Sequence, residues 1–303
     1  MPTTWTIPEI LQAFETGSGY QREAVEAALE LGHAAVPRLV ELLGWVVEEP
    51  EVWFDADPER LDHIYAAVLV GYLGAQEAHP VLIDLLSLPG EVPFELFSDM
   101  VHEQFPALLL RTSGGSLERM DALLQNRRAN PYCRAAVAEA MAFALAAGEV
   151  ERAEVIERLG RAFRGALAEE HYDMCSLLAG TLHNLCPREL MAEMREAYAR
   201  DLIDPLHVSL EGLECRMEEG EEAALEQLRR TMALRTPGSI HDWLGHWSCL
   251  GDVMDEEERE RHGREQTRGQ AKTGVRAKRA KQKKKRAQRK KKRRAARASR
   301  KRR

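Results

Sequence analysis

The chain has 303 residues, with 49 Asp or Glu against 43 Lys or Arg, a formal charge of −6. That figure hides a partition: residues 1–258 carry 47 acidic side chains against 19 Arg, a formal −28, while residues 259–303 carry 24 Lys or Arg against two Glu, or +22. No stretch approaches the ~20 apolar residues of a membrane span, and residues 1–12 lack the basic-then-apolar pattern of a secretory leader. Five cysteines, Cys133, Cys175, Cys186, Cys215 and Cys249, form no CxxC pair. Their odd number and wide spacing argue against a disulfide framework, and a reducing, cytoplasmic setting is expected.

In chain order, the first clear element is the pair of helices meeting at Gly32, where Leu39, Leu42 and Leu43 repeat at helical spacing. From Pro58 to Leu73 the apolar residues Leu61, Ile64, Tyr65, Val68, Leu69 and Tyr72 form one stripe, so a helix is predicted there, capped by Asp57 and opened by Pro58. The same Asx-Pro junction recurs at Asn130-Pro131 and Asp204-Pro205, predicting two further helix starts. Gly32, Gly74, Gly148 and Gly220 are placed to end helices, because glycine adopts the left-handed cap without a Cβ penalty. Alternating β-branched runs with hairpin turns are absent, and no strand is predicted.

Internal similarity refines the class. Residues 31–43, Leu-Gly-His-Ala-Ala-Val-Pro-Arg-Leu-Val-Glu-Leu-Leu, resemble residues 73–86 with one extra residue in the turn, and Pro37 and Pro80 stand 43 positions apart. A weaker third copy aligns Val155 to Gly160 with Leu39 to Gly44, and Gly148 with Gly32. A period near 43 lies in the range of HEAT and armadillo repeats. The expected fold is therefore all-α, a HEAT/armadillo-like α-solenoid of helical hairpins. Residues 1–250 form the acidic helical-repeat domain, 251–258 an acidic linker and 259–303 a disordered, Lys/Arg-rich tail. An irregular helical globule is the alternative.

Several runs carry a family resemblance: His63-Ile64-Tyr65-Ala66, then Ala78-His79-Pro80-Val81 through Pro89-Gly90-Glu91, Asp201-Leu202-Ile203-Asp204-Pro205 with Ser209-Leu210-Glu211, and Trp247-Ser248-Cys249. Over roughly residues 5–250 the chain resembles the bacterial family called domain of unknown function 1186. The resemblance implies a HEAT-like helical body in a bacterial cytoplasmic protein and brings no reaction or catalytic residue. Some members of that family end in a Cys-rich zinc motif. Here no Cys follows Cys249 and no His follows His262, so that site is not carried over.

The search for chemistry yields few clusters. His241, Asp242, His246, Cys249 and Asp252 lie close in sequence but match no established metal spacing. Trp243, Leu244 and Trp247 among them read instead as an apolar plug on the last repeat. His171 and Cys175, at i and i+4 beside Glu169, Glu170 and Asp173, could pair as base and nucleophile, although a partly buried His and Cys is the favoured reading. His102-Glu103 lacks the second histidine of HExxH, and no phosphate-cradling glycine loop is present. Glu48-Glu49, Glu218-Glu219 and Glu221-Glu222 read as solvated faces. No catalytic, metal or cofactor-binding residue is therefore predicted, and a hydrolase or lyase around His171/Cys175 or His241/His246 is the outlying reading.

The basic segment is more informative. Its clusters comprise Lys283, Lys284, Lys285 and Arg286, then Arg289, Lys290, Lys291, Lys292, Arg293 and Arg294, and finally Arg297, Arg300, Lys301, Arg302 and Arg303. Charge this dense repels itself and suits a polyanion, so these residues are expected to bind RNA or DNA. Residues 259–303 contain no Phe, Tyr or Trp, which removes base stacking and leaves binding largely indifferent to sequence. The anionic body would favour a basic protein partner. Competing readings are a tail that binds acidic proteins or its own body, one that rests on anionic lipid, and one that serves only solubility.

Overall fold

The computed structural model describes residues 5–17, 19–54, 60–236 and 238–245, and the helical unit spans Met1–Gly251. The linker at 251–258 and the basic segment at 259–303 lie outside the described residues. Among those described the fold is all-α, without a strand. The N-terminal helices are α1 (Ile7–Thr16), α2 (Arg22–Leu31), α3 (Val36–Glu48) and α4 (Glu51–Phe54). The middle of the chain forms α5 (Asp62–Tyr72), α6 (His79–Leu86), α7 (Val92–Phe97), α8 (Met100–Glu103), α9 (Phe105–Ser113) and α10 (Glu118–Gln125). Then follow α11 (Pro131–Ala147), α12 (Arg152–Ala168), α13 (Tyr172–His183), α14 (Met191–Ala199), α15 (Leu210–Glu219), α16 (Glu221–Arg235) and α17 (Ile240–Leu244).

The two best copies of the internal repeat fold alike. In each, a helix ends beside a glycine of positive φ, a 3₁₀ turn follows (Gly32–Ala34 or Gln76–Ala78), and the next helix carries proline in its first turn, Pro37 in α3 and Pro80 in α6. Proline there gives up an amide that no helical carbonyl would have received. The third copy keeps the terminator Gly148, in left-handed conformation, and the apolar stripe of α12, but has no 3₁₀ turn.

Packing runs in sequence: α3 on α5, α5 on α9, α9 on α11, α11 on α13, with α10 against α11 and α12 against α13. Leu108 lies over Gly71 so closely that a Cβ there would come within 2.3 Å of its Cδ2, so glycine lets α9 pack close on α5. An ordered stack would leave its last helices at one end. Here α16 packs on α11 and α17 on α5. Trp243 and Leu244 are buried against this earlier part of the chain, Trp243 carbonyl accepting from Gln104 Nε2 at 2.6 Å. Trp243 and Leu244 therefore pack on helices well before them in the chain, and Trp247 lies outside the described residues.

Two predicted helix starts are corrected. Arg60 and Leu61 are not helical and α5 begins at Asp62, four residues beyond the expected Pro58, which lies outside the described residues with Asp57. Asp62 is drawn into the core instead of solvent, and its anchoring sets where the helix can begin. At Asp204-Pro205 the Asp204 carboxylate does accept the Leu206 amide at 2.9 Å, but the chain turns, and α15 starts at Leu210 under a Ser209 cap. Asn130-Pro131 opens α11 as predicted, with Asn130 accepting from the Tyr132 amide at 3.0 Å.

One buried group gives this fold a pH dependence. Thr112 hydroxyl donates to Leu108 carbonyl at 2.9 Å, so its contact with His79 Nδ1 at 3.0 Å places the imidazole proton on Nδ1. His79 Nε2 is buried with no partner among the described residues. Burial, reinforced by Arg119, pushes this imidazole down to about 4. An unfolded histidine titrates near 6.5, so neutral His79 supports the fold fully above that pH. Between about 6.5 and about 4 the unfolded state binds the proton and the folded state does not, so stability drains by up to ~1.4 kcal/mol per pH unit. His79→Leu is expected to flatten the decline in urea-derived stability between pH 6.5 and 4.5. A decline as steep as that of the parent chain would refute the assignment.

Candidate functional site

Helix α11 is alanine-rich and buried nearly all round, which lets α8, α9, α10, α13 and α16 approach it from every side. Its one carboxylate is Glu139. Instead of meeting core, Glu139 borders a cavity of about 350 Å³ lined also by His102 of α8, Thr181 and His183 of α13, Asn184, His207 and Arg235 of α16. Ala135, Ala136, Ala142, Leu177 and Leu228 supply its apolar walls. Gly180 matters to this shape: a Cβ there would stand 2.6 Å from His207 Nε2, so glycine lets that imidazole lie against α13.

Electrostatics in the cleft are set by one ion pair. Arg235 Nη1 lies 2.7 Å from Glu139 Oε2 and donates also to the His102 carbonyl at 3.0 Å. Both side chains are partly exposed. Burial pushes the Glu139 carboxyl above the usual carboxylate range, against the opposing pull of Arg235. His102 is held below the usual imidazole range by burial, its ring clustered with those of Phe94 and Tyr132, whose centroids are each 5.2 Å away. His183 is lowered by burial and then by Arg216. At neutral pH the cleft therefore presents uncharged His102 and His183 beside a compensated Arg–Glu pair.

A second concavity, about 660 Å³, lies between α1, α3 and the start of α5. Glu15, Glu41, Glu48 and Asp62 outnumber Arg38 and Arg60 along it, and Trp45 is 46 % exposed on its wall. Arg60 lies over the rings of Trp53 and Trp45, at 4.6 and 5.8 Å from their centroids.

The structure gives the residues paired in sequence different surroundings. His171 caps α13, its Nδ1 accepting the Met174 amide, while Cys175 is fully buried with its thiol pushed up to about 11 by burial. A nucleophilic thiol needs the opposite shift. His241 bonds Tyr20 hydroxyl through Nδ1 and Glu26 through Nε2, at 2.8 Å in the latter case, tying α17 to the N-terminal helices. His246, Cys249 and Asp252 lie outside the described residues, as do all fifteen basic residues expected to bind nucleic acid. The acidic pairs at 48–49, 218–219 and 221–222 are exposed. Among the described residues no three His, Cys, Asp or Glu side chains converge to hold a metal ion. Sequence reasoning missed the Glu139 cleft altogether. Its one local signal is a single carboxylate inside a 17-residue apolar helix.

Comparison with known proteins places the chain. Residues 6–250 match the family described as Protein of unknown function (DUF1186). The chain belongs to this family. A relative from Chlamydia trachomatis serovar D (strain ATCC VR-885 / DSM 19411 / UW-3/Cx), itself named "Uncharacterized protein", is 24 % identical over 245 residues, covering 80 % of this chain and 97 % of the relative. Another, from Chlamydia muridarum (strain MoPn / Nigg) and bearing the same name, is 24 % identical over 208 residues, covering 68 % and 83 %. No solved structure matches. The family match ends at residue 250, so the basic segment lies outside it. No helix among the described residues is long and apolar enough to cross a membrane.

Proposed function

We propose that this DUF1186 member is a cytoplasmic binding protein without a reaction of its own, in which residues 259–303 hold RNA or DNA by its phosphates and the helical unit engages a protein partner. The observation that carries this reading is the division of charge, −28 over residues 1–258 against +22 over the following 45. A surface as acidic as the former repels phosphate, which leaves polyanion binding to the latter. The groove between α1 and α3 suits a basic partner: its rim is acidic, and an exposed Trp beside an Arg is the composition that carries most energy in protein interfaces.

The test is purification of the full chain and of a version ending at Glu258. Full-length protein is expected to carry nucleic acid, seen as a high 260/280 nm absorbance ratio that falls after nuclease treatment, and the shortened protein to carry none. Equal ratios for the two would sink the nucleic-acid reading and favour an adaptor whose basic segment binds acidic protein surfaces.

A further inference from the structure

We propose that the cleft bounded by α8, α11, α13 and α16 binds a small oxyanion, a carboxylate or phosphate group, through Arg235. This is independent of the role given to residues 259–303. The lining sets Arg235, Asn184, Thr181, His102, His183 and His207 around one carboxylate, Glu139, with the His183 ring already bonded to Asn184 and the Gly212 backbone. Arginine has five N–H bonds in a planar fork. Nη1 is engaged with Glu139 and the His102 carbonyl, while the three N–H groups on Nη2 and Nε meet no acceptor among the described residues. A planar or tetrahedral oxyanion takes such a fork in two parallel, charge-assisted bonds, which an ammonium ligand cannot do.

The volume also fits. A cavity of about 350 Å³ lies at the small end of the range for metabolite sites, and its walls of Ala136, Ala142, Leu177 and Leu228 can cover a short carbon skeleton behind the anionic group. Glu139 then acts as the internal competitor. It occupies Arg235 when the cleft is empty, so an arriving anion must share or displace it, and removing its charge should help the ligand.

The experiment uses the full chain, with inorganic phosphate and malonate as separate probes, followed through the imidazole C–H signals in NMR. Signals of His102, His183 and His207 are expected to move saturably with one or both probes while His171, at the far end of α13, stays fixed. The basic segment will also attract these anions, and His262 reports that binding apart from the cleft. Arg235→Gln should weaken the cleft response at least ~10-fold, the value of one charge-assisted hydrogen bond. Glu139→Gln should strengthen it. Saturable movement with phosphate alone, or with malonate alone, tells which oxyanion the cleft prefers. The proposal is overturned if neither probe moves the three histidines, if Arg235→Gln leaves their response unchanged, or if Glu139→Gln weakens it. Circular dichroism of both variants separates lost binding from lost fold, and Glu139→Gln keeps the test open should Arg235→Gln fail to fold.

Discussion

Raising monovalent salt from about 50 to about 200 mM is expected to weaken binding of the full chain to a random-sequence duplex by about five orders of magnitude. Each phosphate neutralised by Lys or Arg releases a condensed counterion, and the release is less favourable when the bulk already holds many. Residues 259–303 supply 24 such cations with no aromatic ring among them, so engagement of ~10 phosphates would give a log–log slope near −9 on duplex and near −7 on single strands. Changing base sequence at fixed salt should move the affinity little, because phosphates carry no sequence information. Replacing Lys290, Lys291, Lys292, Arg293 and Arg294 together by Gln should make the slope shallower, by at most about four to five units on duplex if all five meet phosphate. Fluorescence anisotropy at four salt concentrations decides the matter. A slope shallower than −3 in the parent chain would mean that the basic residues are not the contact.

The helical class was legible because its signals are local. Gly32, Gly74, Gly148 and Gly220 all have positive φ where the sequence reading ended helices, and the 31–43 and 73–86 copies share their 3₁₀ turn and their first-turn proline. Signals failed where a distant partner overrides them. Asp204-Pro205 is locally as good a helix opening as Asn130-Pro131, yet the Asp204 amide is held by Ser176 hydroxyl, 28 residues back, at 2.9 Å and the chain turns. The cleft was illegible for the same reason: Glu139 stands out within its own helix, but Arg235 lies 96 residues further on, and only the return of α16 across α11 brings the two together. His171 and Cys175 show the converse, since adjacency on one helix turn puts them in different environments, one at a cap and one in the core.

Asp62→Ala is expected to cost about 3–5 kcal/mol of stability, the range for removing one partner of a buried charge pair. Asp62 is 1 % exposed. Its Oδ1 accepts from Trp53 Nε1 at 2.7 Å and from the His63 amide at 2.9 Å, while Oδ2 accepts from Arg60 Nη2 at 3.1 Å. Burial alone would raise this carboxyl. The bonds from His63, Trp53 and Arg60, together with the Arg60 charge, prevail and hold it below the usual range. Truncation therefore strands an indole N–H and a guanidinium that is only 14 % exposed and held over two tryptophan rings. Glu15, 3.4 Å from Arg60 and half exposed, is too far into solvent to replace the lost carboxylate. For a unit of this size the loss corresponds to a drop in melting temperature of roughly 10 °C. The double change Asp62→Leu with Arg60→Met should recover much of it, because an apolar pair of similar volume avoids desolvating two charges. Urea unfolding followed by tryptophan fluorescence would measure both. A single-variant loss under about 1 kcal/mol would show that Asp62 is not the anchor from which α5 begins.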